Sequence, residues 1–524
     1  MDFQETILRE IVEELNRIKP TREKVWKVAK SICKKHRLAR VPTNVQILQA
    51  CEKEEKERLK EFLLMKPIRT VSGVTVITVV AKPESCIWSK CVYCPKGLNA
   101  PSSYTGLEPA IQRAIYNSYD PFLQVKNRLW QYQMMGHSVN KIELIIIGGT
   151  FLGLEKEYQN WFIKRIFDAL NESEAKSLDE AIKMNENAKQ RCVNLTIETR
   201  PDFCKREHVD AMLSYGVTRV ELGAQTIYPD IMEKINRGHT IQDVIDAIRI
   251  ARDAALKVNL HLMPNLPGSD LDKDLEMFKL VFEDQNFRPD YLKIYPTVVV
   301  KGTELYRMWK RGEYKPYAVE ELIDLLARVK RFIPKYCRIQ RIGRDVPANQ
   351  IEAGCKRSNL RELVKQRAEE LGVTCNCIRC REVGFKIAQG VFPSIEAVEL
   401  CVLDYEASNG KEIFLSFEDT KNDIILGFLR LRIPEESHRP EISSNTALVR
   451  ELKVMGITVP VGLSPGELQW QHRGYGVKLL KEAERIAEEE YDRNKIVVLS
   501  GVGARQYFLA QGYEYEGPYV SKSL

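Results

Sequence analysis

Val74-Thr-Val-Ile-Thr-Val-Val80 runs straight into Ala81-Lys-Pro-Glu-Ser-Cys86-Ile-Trp-Ser-Lys-Cys91-Val-Tyr-Cys94, and this junction decides the fold. The first half, apolar and β-branched, reads as a strand. The second half places three cysteines within nine residues on the loop that follows. Thiols bunched this tightly cannot all pair with one another, but they can converge on one iron–sulfur cluster. Four irons need four outer ligands, so three thiolates leave one iron with an open position. A zinc knuckle would need a fourth ligand nearby, and no other Cys or His lies between Lys82 and Gly136.

Outward from this loop, short apolar runs alternate with longer amphipathic ones from Val71 to about Pro347. Strands are expected at 74–80, 142–148, 193–198, 219–223, 258–263 and 291–296. Helical stretches between them imply a parallel sheet, curled into a partial βα barrel or opened as a doubly wound fold. Chemistry in such folds gathers at the C-terminal ends of the strands. The cysteine loop follows the first strand, Gly148-Gly149-Thr150 the second, Glu198-Thr-Arg-Pro-Asp202 the third and Glu221-Leu-Gly-Ala-Gln225 the fourth. An open iron beside such a barrel is what radical S-adenosylmethionine (SAM) chemistry requires, because the amino and carboxylate groups of SAM chelate that iron. Gly148, Gly149, Glu198 and Gln225 are the candidate SAM contacts, the glycines because they let a backbone approach a ligand closely.

The bulk composition permits this reading without demanding it. A chain of 524 residues is long for one core. No apolar run reaches the roughly 20 residues that span a bilayer, and the N-terminus carries acids where a signal peptide would be basic, so a cytoplasmic protein without a membrane partner is expected. Thirteen cysteines in a reducing compartment favour metal sites over disulfides. The net charge of +7 is unevenly spread, with ten Lys/Arg against Glu23 alone between Arg17 and Arg40. Lys27, Lys30, Lys34 and Arg37 recur at helical spacing as one basic face, with Val25, Ala29 and Ile32 opposite. A solvated helix face is the plain reading; the scarcity of acids favours a polyanion such as a nucleic acid.

Cys375-Asn-Cys377-Ile-Arg-Cys380 offers three thiols at spacing suited to tetrahedral zinc, with Cys355 available as a fourth. Beyond it, strand-like runs at 397–405, 412–417, 424–432 and 448–454 suggest an antiparallel sheet. Gln471-His-Arg-Gly474-Tyr475-Gly476 then enters a helix at Val477, aiming free N–H groups and the helix dipole at a phosphate. This loop looks like the pyrophosphate-binding loop of the GNAT acetyltransferases, which hold acetyl-CoA.

Together these features resemble the catalytic subunit of Elongator and its stand-alone archaeal and bacterial relatives over nearly the whole chain. The matching stretches include Lys66-Pro-Ile-Arg-Thr70, Cys91-Val-Tyr-Cys-Pro95, Ser103-Tyr-Thr-Gly-Leu-Glu-Pro109, Tyr119-Asp-Pro-Phe-Leu-Gln124 and Gly136-His-Ser-Val-Asn-Lys141. Gly148-Gly-Thr-Phe151, Ile197-Glu-Thr-Arg-Pro-Asp202, Asn236-Arg-Gly-His-Thr240, Arg450-Glu-Leu-Lys-Val-Met-Gly456, Gln471–Gly476 and Gly517-Pro-Tyr519 continue the series. The resemblance implies an α/β fold: a basic helical tRNA-binding segment (1–65), a radical SAM partial parallel barrel (66–350), a zinc-bearing linker (351–392) and a GNAT-type α+β domain (393–524). It implies carboxymethylation of carbon 5 of the wobble uridine, position 34, in the anticodon stem-loop of tRNA. A 4Fe-4S cluster, SAM, acetyl-CoA and zinc are the expected cofactors; a homodimer or accessory subunits are left open.

By the same resemblance Lys141 and Tyr507 are candidate catalytic residues, and Lys141, Glu451, Leu452, Lys453, Val454, Gln471, Gly474, Tyr475, Gly476, Val477, Tyr507 and Phe508 candidate acetyl-CoA contacts. Cys86, Cys91 and Cys94 would hold the cluster, and Cys375, Cys377 and Cys380 the zinc. Three departures stand out. The first cysteine gap of four residues is shorter than in eukaryotic members, Phe508 replaces a tyrosine, and the Cys375–Cys380 triplet is absent from some relatives, so zinc is not essential to the shared chemistry. A protein lysine acetyltransferase with a merely structural cluster is the rival reading; it needs no SAM and tolerates loss of Cys91. A tRNA-binding scaffold would tolerate loss of both cofactors.

Overall fold

The computed structural model describes residues 3–18, 20–38, 40–66, 69–84, 86, 90–456 and 470–524. Residues 67–68 of the Lys66–Thr70 motif and 87–89 of the cysteine loop lie outside that set. Four helices open the chain: α1 (Phe3–Arg17), α2 (Arg22–Lys35), α3 (Asn44–Ala50) and α4 (Lys53–Leu63). They close on a core of their own built from Ile7, Ile11, Leu15, Val25, Ala29, Leu48 and Leu59. Thr21 caps α2 by accepting a hydrogen bond from the Lys24 N–H, which satisfies an amide with no helical partner. The helix ends at Lys35, and Arg37 sits beyond it at φ +53°, so it does not extend the helical face of Lys27, Lys30 and Lys34 as its spacing suggests.

The central sheet has seven parallel strands in sequential order: β1 (Thr75–Val80), β2 (Lys141–Ile147), β3 (Arg191–Thr199), β4 (Arg219–Gln225), β5 (Lys257–Leu262), β6 (Tyr291–Ile294) and β7 (Arg338–Ile342). Its two end strands do not pair, which leaves a partial barrel wrapped by helices. The six expected strands all form. β7 escapes sequence reading because Arg338, Gln340 and Arg341 make it look like a polar turn, whereas Arg338 is buried on Glu382 at 2.6 Å. Polar residues at every second position of the other strands have the same origin. Arg219 and Glu221, Asn259 and His261, Tyr291 and Lys293 point into the barrel lumen, where they pair across strands.

The C-terminal sheet comprises β8 (Val398–Ala407), β9 (Gly410–Asp419), β10 (Ile424–Ile433), β11 (Thr446–Val454), β12 (Lys495–Val498), β13 (Glu514–Glu516) and β14 (Tyr519–Ser523). The four expected strands pair antiparallel as β8–β11, and the further strand β12 makes the sheet mixed: β11 and β12 run parallel, paired only from Thr446↔Lys495 to Val449↔Val498. β11 then continues to Val454 past the end of its pairing with β12, which leaves a gap between the two strands. Between the two sheets, the stretch 351–392 is folded rather than extended. Leu360, Val364, Cys377, Ile378 and Val383 are buried in one apolar cluster with residues of both sheets.

Three fully buried arginines of the C-terminal sheet bind the two sheets together. Arg450 grips both oxygens of Asp290 at 2.7 and 2.8 Å and also reaches Glu412 at 2.7 Å. Arg432 donates to Asp253 at 2.6 Å, and Arg430 to Glu451 at 2.9 Å and to the Tyr336 carbonyl at 2.7 Å. The C-terminal sheet therefore caps the N-terminal ends of the barrel strands, opposite the cysteine loop.

Candidate functional site

Above the C-terminal ends of the barrel strands lies a cavity of about 470 Å³. Cys86, Cys91, Cys94, Gly149, Glu198 and Gln225 all line it, so the structure gathers the cluster cysteines and three of the four candidate SAM residues in one place. Gly148 is their support: at φ +129° its backbone packs on Ala81 at the end of β1, where a Cβ would lie 3.0 Å from the Ala81 nitrogen. Gly149, at φ +84°, has open space where a Cβ would be. That combination creates a backbone edge that a ligand can approach.

The cavity suits a cluster with a small polar ligand. Gln225 is held at φ +73°, and its Oε1 is buried without a hydrogen-bond partner among the described residues. Buried polar atoms left unpaired by protein mark the place of another group. Arg237, which sequence reading missed, is buried beside the cluster loop and donates to Cys91 Sγ at 3.5 Å and to the Gly223 carbonyl at 2.6 Å. A fixed guanidinium there favours thiolate over thiol.

The cavity wall is backed by a charge network that the sequence does not reveal as a network. Lys293 contacts Glu198 at 2.8 Å and forms an ion pair with Glu221, which lies 3.1 Å from His261 Nε2. Burial alone would raise the pKa of Glu221; Lys293, His261 and Arg219 more than offset it and hold the carboxyl well below its ordinary range. Burial raises that of Glu198.

At the other end of β2, Lys141 Nζ donates to Gln471 Oε1 at 2.8 Å, and Gln471 Nε2 donates to the Val454 carbonyl at 3.2 Å. The loop thus lies beside that gap, at the unpaired end of β11. Gly474 caps the helix Tyr475–Arg485 at φ +84°, a conformation that favours glycine. A Cβ on Gly476 would meet the Tyr507 hydroxyl at 2.8 Å. Tyr507 is 38% exposed and faces this entry, whereas Phe508 is buried in the sheet core. Glu451 turns toward the barrel, taking hydrogen bonds from Arg430 and Tyr291. Its side chain is committed there, so any contact it makes in the gap falls to its backbone. Burial lowers the Lys141 pKa to about 8.

Cys375, Cys377 and Cys380 bring their sulfurs within 4.8 Å of one another. Cys355 is not part of that group; it is buried near Arg344 instead. On α2, Lys27, Lys30 and Lys34 are exposed, and Lys30 lies over the half-exposed Trp26 ring at 4.6 Å.

An open parallel barrel whose first strand leads into three cysteines facing a ligand-sized cavity defines a radical SAM protein. The radical SAM superfamily model matches residues 86–281, the radical SAM C-terminal domain model residues 289–370 and the ELP3 N-terminal domain model residues 4–71. The tRNA uridine(34) acetyltransferase of Methanocaldococcus jannaschii is 51% identical over 99% of this chain and 97% of its own length. Elongator complex protein 3 of Homo sapiens is 43% identical over 95% of this chain and 93% of its own. The solved structure of Methanocaldococcus infernus Elp3 lacking its N-terminus (1–46) matches with a TM-score of 0.78 at 48% identity, covering 87% of this chain and all of that one. The chain belongs to the Elp3 family of radical SAM proteins.

Proposed function

We propose that the protein carboxymethylates carbon 5 of the wobble uridine of tRNA, taking the carbon from acetyl-CoA. The names of the archaeal relatives support the substrate. The observation that carries the reading is the strand β2, which ends on one side at Gly148–Gly149 of the cysteine-lined cavity and on the other at the Lys141–Gln471 contact of the glycine loop. One short strand thus joins a site suited to radical chemistry to a site suited to an acyl-CoA.

In this reading Cys86, Cys91 and Cys94 hold a 4Fe-4S cluster, and Gly149, Glu198 and Gln225 contact SAM. When bound, these groups supply the one-electron chemistry needed to activate an unreactive C–H bond. Residues 393–524 act as a GNAT-type domain, in which the N–H groups of Gly474–Val477 receive the pyrophosphate and Leu452–Val454 and Tyr507 flank the pantetheine arm. Cys375, Cys377 and Cys380 hold a zinc ion that staples 351–392 between the sheets. No helix among the described residues is long and apolar enough to cross a membrane. The deciding experiment is anaerobic incubation with tRNA, SAM, acetyl-CoA and reductant, followed by nucleoside mass analysis. A 5-carboxymethyl product is expected; lysine acetylation that needs no SAM, with no uridine product, would overturn the reading.

Two predictions follow from the placement of the charges. Lys141 is an ammonium at pH 7, and with its pKa lowered to about 8 it loses that charge in mildly alkaline solution. Acetyl-CoA affinity therefore falls severalfold between pH 7 and 9, and Lys141→Met removes this pH dependence. Calorimetry across that range checks it; an equal slope in the variant would free Lys141 of the role. Changing Lys27, Lys30, Lys34 and Arg37 together to Gln weakens tRNA binding and flattens its salt dependence, because each phosphate contact contributes about 0.7–0.9 to the logarithmic slope. An unchanged slope would leave α2 as an ordinary solvated surface.

A further inference from the structure

In acetyl-CoA the thioester carbonyl carbon is bonded directly to the methyl carbon that is to join uracil. Once that carbon–carbon bond has formed in the cysteine-lined cavity, the thioester is one bond away, and the group that activates water against it must line the same cavity. This argument rests on the functional reading above and asks which residue of the chain meets that requirement.

The carboxylates facing the cavity are already committed to cations: Glu198 to Lys293 at 2.8 Å, Glu304 to Arg307 at 2.8 Å and Asp345 to Arg341 at 2.6 Å. His261 is the one imidazole among the described lining residues. It extends from the end of β5, and its ring stands edge-on to Tyr295 at a centroid distance of 5.4 Å. Its Nε2 lies 3.1 Å from Glu221 Oε2, and Glu221 is fully buried. Lys293 and Arg219 sit against Glu221, Arg219 at 3.5 Å, and keep it anionic. An anionic carboxylate only accepts, so Nε2 carries the hydrogen and Nδ1 is left with a free lone pair. A carboxylate orienting an imidazole whose other nitrogen can take a proton is the arrangement of a general base.

We infer that His261, oriented by Glu221, is the general base that hydrolyses the thioester linking CoA to the newly attached carbon of uridine. Nδ1 takes a proton from water as the water oxygen attacks the carbonyl carbon. The carbon–sulfur bond then breaks, and the imidazolium returns the proton to the departing CoA sulfur. The products are a carboxyl group on the modified uridine and free CoA thiol, with no oxidant or reductant consumed. Lys293 and Arg219 are positioning residues that hold Glu221 ionised beneath the ring.

The test separates hydrolysis from radical chemistry. An anticodon stem-loop RNA carrying a 5-carboxymethyluridine thioester of pantetheine is mixed with full-length, cluster-reconstituted protein without reductant, and thiol release is followed. The natural protein is expected to release thiol, and His261→Gln and Glu221→Gln to do so about 100-fold more slowly or worse, with RNA affinity unchanged. Glutamine at 261 can still donate to Glu221, which keeps the fold comparable. With reductant, SAM, acetyl-CoA and unmodified tRNA, His261→Gln is expected to form 5′-deoxyadenosine and to accumulate tRNA bearing a CoA thioester, visible by mass. Thiol release at the natural rate by both variants, or no release by the natural protein, overturns the inference. Loss of 5′-deoxyadenosine formation in His261→Gln also overturns it, by making the residue a SAM-positioning group. Absence of any uridine product from the natural protein would instead overturn the functional reading.

Discussion

Replacing Cys86, Cys91 and Cys94 together by Ser is expected to remove cluster iron and reduce uridine carboxymethylation to background, with the fold retained. A serine hydroxyl stays protonated near neutral pH and is a poor ligand for iron, whereas thiolates hold such clusters. The three residues lie on the loop beyond β1, outside the apolar core made by Ile77 and Val79 with Ile142, Leu144 and Ile146. Far-ultraviolet circular dichroism should therefore be unchanged while iron content falls from about four per chain to none. Acetyl-CoA binding, which we propose at the Lys141–Gln471 end of β2, should persist. Iron loss with retained modification would sink the radical mechanism.

The largest expected effect on stability is at Asp290. Its carboxylate takes two bonds from Arg450 and one from the Val258 N–H at 2.8 Å, and it lies 3.5 Å from Arg430 with no solvent exposure. Changing Asp290 to Ala removes a buried carboxylate shared by two buried guanidiniums, which keep only Glu412 and Glu451 as counter-charges, a loss of about 3–5 kcal/mol. Asn, which keeps the shape and one acceptor, should cost less. Because the same ion pairs dock the C-terminal sheet on the barrel, denaturant unfolding of Asp290→Ala is expected to split into two transitions. A single transition shifted by less than about 1 kcal/mol would show that apolar packing alone joins the halves.

The cysteine loop and the glycine loop were legible because each site is local in sequence. Cys86–Cys94 and Gln471–Gly476 each gather their residues on one short turn, so chain order alone is enough to propose them as sites. The barrel strands were legible where their runs were apolar and failed at β7, whose inward-facing Arg338 and Gln340 look like surface residues; in the C-terminal sheet β12, β13 and β14 were not foreseen. Arg37 was assigned to a helical face by spacing, but the helix stops at Lys35. Cys355 was paired with the triplet on availability, and the fold carries it elsewhere.

The sequence by itself determined the class of fold, the cluster loop, the glycine loop and the family, since strand periodicity and ligand spacing depend on near neighbours. Only the tertiary structure decided that the two loops sit at opposite ends of one strand, and that Arg237 lies on Cys91. It alone placed Glu198, Glu221, His261 and Lys293 together beneath one cavity. Those four residues come from four different strands, and what brings them together is the register between strands and the curl of the sheet. Both are set by packing across the whole barrel, and no local pattern encodes them.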